Sequence, residues 1–448
     1  MLAYFFPPMA ASGSQRPAAF CSYLQANGYR PHVVTAYPDQ VHPPIETDDS
    51  SIALLPLDLE VSRVRYFDRR QFFYRWLRRE GGKVSSESLA DGSAPVLLAA
   101  QKAPPGHKRS ATMRYLLDKL FMFPDQQKDW ARAVYRVLLK RYELDPPDVV
   151  YATGSPWSCL LAGARLARRL GVPFVADFRD PWSGNLKASL APRFAVQARR
   201  LEDDVLRSAT RVIANTEPLR QRFAARFPCF DQRFVTLTNG ITELSSETRG
   251  SGDDEPQKTA AFELHYFGTV SKQRAPKELL SAWEKLSTER NLGPADIKLV
   301  FTGSWARMAP EVLAQLQRLE ARGIVERRPA VPREECLKRM ACADHLLILQ
   351  QGYPMQIPAK IYEYMATQRP VIVIGGEGAT ADLMRSCGFG SNCPNDAEAI
   401  FSLLEKHITG AIPVAAASEA TLEVFHYESL TSRLAQIFDD AISDYSAK

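Results

Sequence analysis

The chain has 448 residues, too many for one ordinary hydrophobic core, so its length predicts two domains. Its composition is globular, with 45% hydrophobic and 24% charged residues, and its net charge of +5 is too small to indicate a nucleic-acid-binding protein. This mildly basic balance is compatible with phosphate-bearing ligands or with an anionic membrane surface.

Cysteine and histidine usage gives no sign of a disulfide framework or a metal site. The seven cysteines form no CxxC pair, and the seven histidines show no metal-ligand spacing. The opening residues predict a strand and a loop rather than a signal sequence, and no apolar run reaches the ~18 residues of a membrane span. We therefore expect a cytoplasmic protein that needs no cofactor or metal.

Short apolar runs rich in Val, Ile and Phe alternate with helical patterns in the first half of the chain. Continuous apolar strands separated by helices are typical of a parallel sheet covered on both faces. The predicted strands of this half lie at 2–6, 32–37, 52–57, 149–154, 173–178, 211–216 and 234–240. The polar stretch 242–260 that follows is predicted to be a linker.

The same alternation restarts after the linker and ends in a helical pattern. The predicted strands of the second half lie at 263–270, 297–303, 323–331, 345–350 and 370–376. We therefore predict an α/β protein with two doubly wound, Rossmann-like domains, 1–245 and 246–424, and a final helix at 425–448. Ligands of such sheets lie at the carboxyl ends of the strands, which would face each other across a cleft.

A long connection, about 60–145, interrupts the first predicted domain and is expected to be a helical insertion. Its segment 61–80 carries seven arginines and six aromatic residues. Because arginine and aromatic side chains suit a lipid headgroup interface, one hypothesis is peripheral membrane contact through 61–80 and 112–143. The other is an insertion packed on its own domain.

The loop after the first predicted strand contains Gly13, Ser14 and Arg16. Gly13 would let the backbone approach a ligand closely. Arg16 is predicted to lie in the first turn of the helix, where the helix dipole disfavours a cation, and this indicates an anionic ligand. An ordinary surface arginine is the alternative.

A second loop places Asp177, Arg179 and Asp180 at the end of a buried predicted strand, followed by Trp182. Charged residues at this position indicate a site, because strand ends are where such sheets bind ligands. The alternative is an Asp–Arg pair that braces the loop.

The third loop follows a strand with Gly268 and continues to Lys272 and Arg274. A small residue and two cations at a strand end suit a diphosphate, and a solvated turn is the alternative.

The fourth candidate is a helix that Pro358 is predicted to open. Lys360 would lie in its first turn, where a cation again indicates an anion. Glu363 could accept hydrogen bonds from the hydroxyls of a ribose, or it could pair with Lys360 on the helix surface. The later stretch GGEGATA, 375–381, matches GxGxxA only superficially, and we favour a loop that meets a polar ligand over a dinucleotide site.

These segments, taken in order, resemble retaining nucleotide-sugar glycosyltransferases of the GT-B fold, close to family 4, over nearly the whole chain. The resemblance rests on YFFPP, GSQRP, YLQANGYRPHVVT, VYATGSPWSCLLAGARLARRLGVPFVADFRDPW, VIANTEPL, VTLTNGI, YFGTV, ELLSAWEKL, FTGS and IPAKIYEYMATQRPVIV. It implies a nucleotide-diphosphate sugar bound by the second domain, an acceptor bound by the first, and a final helix that returns to the first. It also implies transfer without a metal, because cations and helix dipoles carry the leaving-group charge.

The same resemblance assigns individual residues. Lys272 and Arg274 fall near the diphosphate, and Glu363 matches the glutamate on the ribose hydroxyls. The other donor-binding assignments are Gly13, Gly268, Thr269, Gly303, Met355, Gln356, Ile357, Pro358 and Lys360. The catalytic assignments, for orienting the acceptor hydroxyl or the sugar, are Asp177, Arg179 and Asp180. The acceptor-binding assignments are Ser14, Arg16 and Trp182.

Three departures from the family pattern bear on donor specificity. Met355 stands where the first glutamate of an E-x7-E pair is expected, with Gln356 as a candidate replacement, and Thr269 stands where an arginine is expected. A histidine common near the sugar is also absent, and DFRD occupies that region.

The leading hypothesis is transfer of a sugar from a UDP- or GDP-sugar to a saccharide acceptor, lipid-linked, in exopolysaccharide or surface-glycan biosynthesis. No nucleic-acid partner is expected. One alternative is a catalytically silent nucleotide-binding or partner subunit, which Met355 and Thr269 favour. The other is a nucleotide-sugar epimerase, which the long insertion argues against.

Overall fold

A computed structural model describes residues 1–42, 44–72, 121–183, 191–241, 261–413 and 416–447. The predicted linker and most of the predicted insertion lie outside these residues, including parts of 61–80 and 112–143. The chain divides into two compact units, one comprising Met1–Thr238 with Tyr427–Lys448 and the other Asn239–His426.

The strands alternate with helices along the chain. The strands are β1 (His32–Ala36), β2 (Glu60–Val64), β3 (Val150–Gly154), β4 (Phe174–Phe178), β5 (Arg211–Ala214), β6 (Phe234–Thr236), β7 (Phe262–Phe267), β8 (Ile297–Thr302), β9 (Val325–Arg328), β10 (His345–Leu349), β11 (Val371–Ile374) and β12 (Ser391–Cys393).

The helices follow the same order. They are α1 (Ser12–Leu24), α2 (Lys128–Tyr142), α3 (Trp157–Leu170), α4 (Ala191–Ser208), α5 (Glu217–Arg226), α6 (Lys277–Glu289), α7 (Pro310–Ala321), α8 (Arg333–Ala341), α9 (Lys360–Ala366), α10 (Ala379–Cys387), α11 (Ala397–Ile408), α12 (Glu419–Phe425) and α13 (Tyr427–Ser446). Within the described residues, no helix is long and apolar enough to cross a bilayer.

The sheet of the first unit is parallel. Successive strands of the chain are added on one side of the opening segment up to β2 and on its other side from β3 onward. Strand β1 pairs with β2, and β3–β4–β5–β6 form a continuous run. Leu2 bridges both Val34 of β1 and Ala152 of β3, so the opening segment joins the two parts. The order is therefore β2–β1–Leu2–β3–β4–β5–β6, with the switch in direction beside Leu2, where the ligands of such sheets bind.

Two predicted strands of this unit differ from the structure. The predicted strand 2–6 is shorter in the structure: Leu2 bridges β1 and β3, and Ala3 and Tyr4 add backbone hydrogen bonds to β1. The predicted strand 52–57 is wrong: Ile52, Leu54 and Leu57 are exposed, the segment forms turns, and the edge strand β2 follows at Glu60–Val64. Pro56 has no N–H for a strand ladder, whereas an edge strand tolerates the polar residues of β2.

Both faces of the first sheet are covered by helices. Tyr151 and Val175 pack with α1 and α13, whereas their neighbours Ala152 and Ala176 pack in the opposite core with α2, α3 and α4. Adjacent residues of a strand point to opposite faces of the sheet. When both faces are covered, every strand residue is buried and the strands are continuously apolar. The final helix α13 belongs to this first unit, where it packs on α1.

The sheet of the second unit is also parallel and has the order β12–β11–β10–β7–β8–β9. The direction of growth reverses between β7 and β10, whose carboxyl ends are at Phe267 and Leu349. Its two cores take alternate residues of β10, Leu347 on one face and Leu346 on the other. The predicted fold class, α/β with two doubly wound parallel sheets, is confirmed.

Candidate active site

The carboxyl edge of the first sheet is organised by a buried ion pair. Arg16 donates to Asp177 from Nε at 3.0 Å and from Nη2 at 3.1 Å, and both side chains are almost fully enclosed. Asp177 also accepts from the hydroxyls of Tyr151, at 2.6 Å, and Thr153, at 2.7 Å. Burial, with the charge of Asp177, raises the pKa of Tyr151 well above its ordinary value and keeps it a neutral donor.

Arg16 uses its remaining donors on the backbone after β6. Its guanidinium donates to the carbonyl oxygens of Leu237, at 2.9 Å, and Thr238, and it lies over the Phe20 ring. Arg16 lies in the second turn of α1 rather than the first, so the dipole argument does not apply to it. This geometry favours a bracing role for Arg16 and Asp177 over contact with a substrate.

Arg179 braces a different pair of loops. It donates to the carbonyl oxygens of Gly13, at 2.8 Å, and Ser155. A Cβ at Gly13 would lie 2.8 Å from Arg179 Nη1 and 3.0 Å from the Phe5 ring. Gly13 therefore makes room for the guanidinium, and the space that its missing side chain leaves is taken by the protein itself.

Four polar atoms around this edge have no hydrogen-bond partner among the described residues. They are Ser14 Oγ, Arg179 Nε, Asn215 Oδ1 and Thr238 Oγ1. They follow the opening segment, β4, β5 and β6, so they come from strand ends along one edge of the same sheet. Buried polar atoms are usually paired, and such a group of donors and acceptors suits a hydroxyl-bearing ligand.

Trp182 and Asp180, the two other residues predicted for this edge, follow Arg179 in the loop after β4. Trp182 is buried and stacks on Trp157, with ring centroids 5.4 Å apart and planes 6° apart. One face of Trp182 is therefore occupied by the protein. Asp180 is half-buried in the same loop.

Two glycine-containing loops of the second unit are joined at its sheet edge. Gly268 follows β7 and Gly303 follows β8, with φ angles of +117° and +143° that favour glycine. A Cβ at Gly303 would lie 2.3 Å from the Gly268 carbonyl oxygen. Thr269 Oγ1 and Ser304 Oγ are 2.9 Å apart and share a hydrogen bond between the same loops. Gly303 thus holds the turn that follows β7 in place.

We expect Gly303→Ala to destabilise the protein by about 2–4 kcal/mol, because the methyl group meets the Gly268 backbone and the residue keeps a positive φ. Gly410→Ala is the matched control: its φ is +70°, but nothing lies within 4 Å of the added Cβ. The control should cost only about 1 kcal/mol. Urea unfolding measures both, and equal losses would contradict the packing argument.

Lys360, at the start of α9, points to the end of β7. Its Nζ donates to the Phe267 carbonyl oxygen at 2.5 Å and lies 4.0 Å from the Tyr266 ring centroid. Burial lowers the pKa of Lys360 to about 7, and the charge of Arg274 acts in the same direction, against Glu363. Two cations are therefore held near one another at the point where the sheet order reverses.

Arg274 and Lys272 lie in the short turn Lys272–Arg274 after β7. The Arg274 guanidinium lies over the Tyr353 ring, 4.7 Å from its centroid, whereas Lys272 is exposed. Arg274 is thus oriented by an aromatic ring from the loop after β10.

Glu363 pairs with a residue that the sequence did not single out. Arg333 Nη1, at the start of α8, lies 2.8 Å from Glu363 Oε1. Of the two interpretations left open for Glu363, a pair with Lys360 on the helix surface is not what the structure contains. Arg333 follows β9 and is a cation at the start of a helix. The same pattern led to the prediction of Lys360 as a site residue.

A small pocket, with room for about one water molecule, lies between the loop before α9 and the loop after β11. Gln350, Gly376 and Thr380 contribute to its wall, and Gln350 Oε1 has no partner among the described residues. The Gln356 carbonyl oxygen accepts from Gln350 Nε2 at 2.8 Å and from Thr380 Oγ1 at 3.0 Å. Gln356 and Ile357 are buried, and Met355 and Pro358 are half-buried beside them.

Sequence reasoning missed five residues of the candidate site: Asn215, Thr238, Arg333, Gln350 and Tyr353. The first four follow strands, so the strand-end rule could have found them. Tyr353 gave no separate signal. Within the described residues, no group of three or more His, Cys, Asp or Glu side chains is placed to hold a metal ion.

Comparison with solved structures shows the fold. Anabaena HepE, solved with UDP and glucose, is 15% identical, with 100% of this chain and 97% of that chain covered and a TM-score of 0.53. A Rickettsia africae glycosyltransferase is 12% identical over 99% and 98%, with a TM-score of 0.58. Thermosynechococcus elongatus sucrose-phosphate synthase is 13% identical over 96% and 92%, with a TM-score of 0.59.

A search of curated proteins by sequence finds no match. The sequence profile of the glycosyl transferase 4-like domain matches residues 14–240, which is just over half of the chain. That match covers the sheet of the first unit with its buried Arg16–Asp177 pair, and it agrees with the two parallel Rossmann-like sheets. The chain therefore belongs to the glycosyl transferase 4-like family and is a glycosyltransferase of the GT-B fold.

Proposed function

We propose that this glycosyltransferase transfers a sugar from a UDP- or GDP-sugar to a saccharide acceptor. The observation that carries the donor proposal is the pair of cations, Lys360 and Arg274, at the reversal of the second sheet. Two basic side chains beside a glycine turn at a strand end suit a diphosphate, which supplies two negative charges. UDP is the first choice because HepE was solved with UDP and with UDP-glucose.

The proposed donor site places the other residues around that diphosphate. Gly268 and Thr269 form the turn beside the phosphates, and Glu363, held by Arg333, receives the ribose hydroxyls. Gln350 lines the small pocket before α9, and its Oε1 is the proposed acceptor for a hydroxyl of the donor. Gln356 acts through its backbone, which fixes Gln350.

We propose that the acceptor saccharide binds at the carboxyl edge of the first sheet. Ser14, Asn215 and Thr238 each present a polar atom without a partner among the described residues, and Arg179 Nε is a further donor. Neutral donors and acceptors are what sugar hydroxyls require. Arg16 and Asp177 are left out of this proposal, because their polar atoms already serve each other and the backbone.

The proposed chemistry retains the anomeric configuration and uses no metal. The acceptor oxygen bonds to the anomeric carbon on the face from which the diphosphate departs, and the departing phosphate takes the hydroxyl proton. No strong base is then required, which agrees with the enclosed position of Asp177. Arg274 and Lys360 stabilise the charge on the leaving group.

Turnover assays distinguish this proposal from its two alternatives. The protein is incubated with UDP- and GDP-sugars, with and without oligosaccharide or lipid-linked acceptors, and the free nucleotide is measured. Acceptor-dependent release of nucleotide supports transfer. Binding without release would favour a silent subunit, and interconversion of the sugar without release would favour an epimerase. Unchanged turnover after chelation of divalent ions is expected, and its loss would contradict the metal-free mechanism.

We expect Arg274→Ala and Glu363→Ala to weaken binding of the nucleotide by roughly 10- to 100-fold each, because each removes a hydrogen bond to a charged group. Arg290→Ala is the matched control for Arg274, since Arg290 is an exposed cation that pairs with Glu405 instead. Calorimetric titration with UDP measures the affinities. Wild-type affinity in both site variants would contradict the placement of the donor.

The proposal has three further parts. The acceptor is lipid-linked, the enzyme acts in exopolysaccharide or surface-glycan synthesis, and it makes peripheral contact with a membrane. A screen of lipid-linked and free oligosaccharides in the same assay tests the first of these. A much higher turnover with the lipid-linked acceptor is the expected result.

A further inference from the structure

One helical layer of the first unit has an unusually basic outer surface. Helices α2, α3 and α4 pack side by side over one face of the sheet. We call their outward surface the basic helical face. Cations on it that have no ion-pair partner among the described residues are Arg136, Lys140, Arg168, Arg199 and Arg200. The exposed acid among the described side chains of these helices is Asp204.

Other cations of the same face are only partly neutralised. Arg132 pairs with Asp129 at 3.1 Å, and Arg169 approaches Glu143 at 3.7 Å. Arg165 lies over the Tyr135 ring, which orients the guanidinium but leaves its charge in place. The face therefore has an excess of positive charge over a width of three helices, and long-range attraction to an anionic surface follows from it.

Exposed aliphatic side chains accompany these cations. Val137 of α2 is 49% exposed, Leu144 just after α2 is 98% exposed, and Val196 of α4 is 63% exposed. A phosphate backbone offers nothing to such side chains, whereas the boundary between headgroups and acyl chains accommodates them. Arginine, lysine and exposed aliphatic residues together are therefore best matched by an anionic lipid surface.

We propose that the basic helical face docks this protein on a membrane that contains anionic lipids. The proposal rests on the proposed function in one respect, since an acceptor carried by a lipid has to be reached at the membrane. The face includes α2, which falls in the predicted contact 112–143, but it also uses α3 and α4, which sequence reasoning did not consider. The described part of 61–80, residues 61–72, comprises the end of β2 and the segment after it, and is not part of the basic helical face.

The test compares two triple variants of the full chain with the same net charge. One is Arg136→Glu, Lys140→Glu and Arg168→Glu on the face, and the other is Lys277→Glu, Arg318→Glu and Lys406→Glu on the second unit. Both are sedimented with vesicles of phosphatidylcholine alone and of phosphatidylcholine with phosphatidylglycerol. Each cation near an anionic surface contributes about a fivefold factor, so the face variant should bind roughly a hundredfold more weakly. The control should bind like the unchanged protein.

Three results would overturn the proposal: no binding of the unchanged protein to the anionic vesicles, equal losses in the two variants, or binding to a single-stranded oligonucleotide that exceeds vesicle binding. The shift in melting temperature on adding UDP is measured for both variants. An unchanged shift shows that the fold and the donor site are intact, so a failure of this proposal is separate from a failure of the proposed function.

Discussion

Replacing Asp177 with alanine is expected to destabilise the protein by about 3–5 kcal/mol, a large part of the ~5–15 kcal/mol that stabilises a typical domain. The substitution leaves the Arg16 guanidinium buried without its carboxylate, and the hydroxyls of Tyr151 and Thr153 lose the acceptor of their hydrogen bonds. The cost comes from the unpaired charge and donors, since the pair itself contributes less than its removal costs.

Two controls separate this mechanism from a general effect of losing a carboxylate. Asp231→Ala removes the acid of an exposed pair with Arg220 and should cost less than about 1 kcal/mol. Arg16→Met combined with Asp177→Ala removes both buried charges and should be more stable than Asp177→Ala alone. Urea unfolding gives all three values. An Asp177→Ala protein of normal stability that has lost turnover would return Asp177 to a catalytic role.

The affinity for UDP-glucose is expected to fall as the pH rises above about 7, by up to about tenfold per pH unit. The pKa of Lys360 is about 7 in the ligand-free protein, because burial and the charge of Arg274 lower it. A bound diphosphate raises that pKa again. Below the pKa of the ligand-free protein, Lys360 is already charged when the ligand binds. Above that pKa, Lys360 has to take up a proton on binding. The affinity is therefore greatest at lower pH and decreases as the pH rises.

The choice of ligand and variants isolates Lys360 as the source of this profile. Each phosphate of UDP-glucose has one ester and one anhydride bond and so keeps only a strongly acidic hydroxyl, and the phosphates do not titrate near neutral pH. Lys360→Arg keeps its charge throughout and should flatten the profile. Lys360→Met should weaken binding by roughly 10- to 100-fold at pH below 7 and also flatten it. Calorimetry across neutral pH measures these affinities, and a pH-dependent Lys360→Met protein would refute the assignment.

Much of the fold could be predicted from local patterns. The strand 345–350 was expected from an unbroken apolar run, and β10 lies there because both of its faces are buried. The same rule failed at 52–57, where the apolar run contains Pro56 and stays on the surface. An edge strand such as β2 has one partner and few buried residues, so its sequence carries little of the signal.

The candidate site was only partly predictable. The strand-end rule pointed correctly to loops that carry polar side chains, including those of Arg179, Arg274 and Lys360. It could not say which side chains neutralise one another. Arg16 and Asp177 are separated by 161 residues, and Glu363 takes Arg333 from another helix rather than its neighbour Lys360.

The sequence by itself determined the fold class, the family resemblance and the loops in which we propose the site, because apolar periodicity and turn residues act over a few residues. The tertiary structure decided the roles within those loops. The order of strands brings distant loop ends together, and burial then determines whether a charge is paired, as at Asp177, or left for a ligand, as proposed for Lys360. Neither the strand order nor the burial of one side chain is encoded in its local sequence.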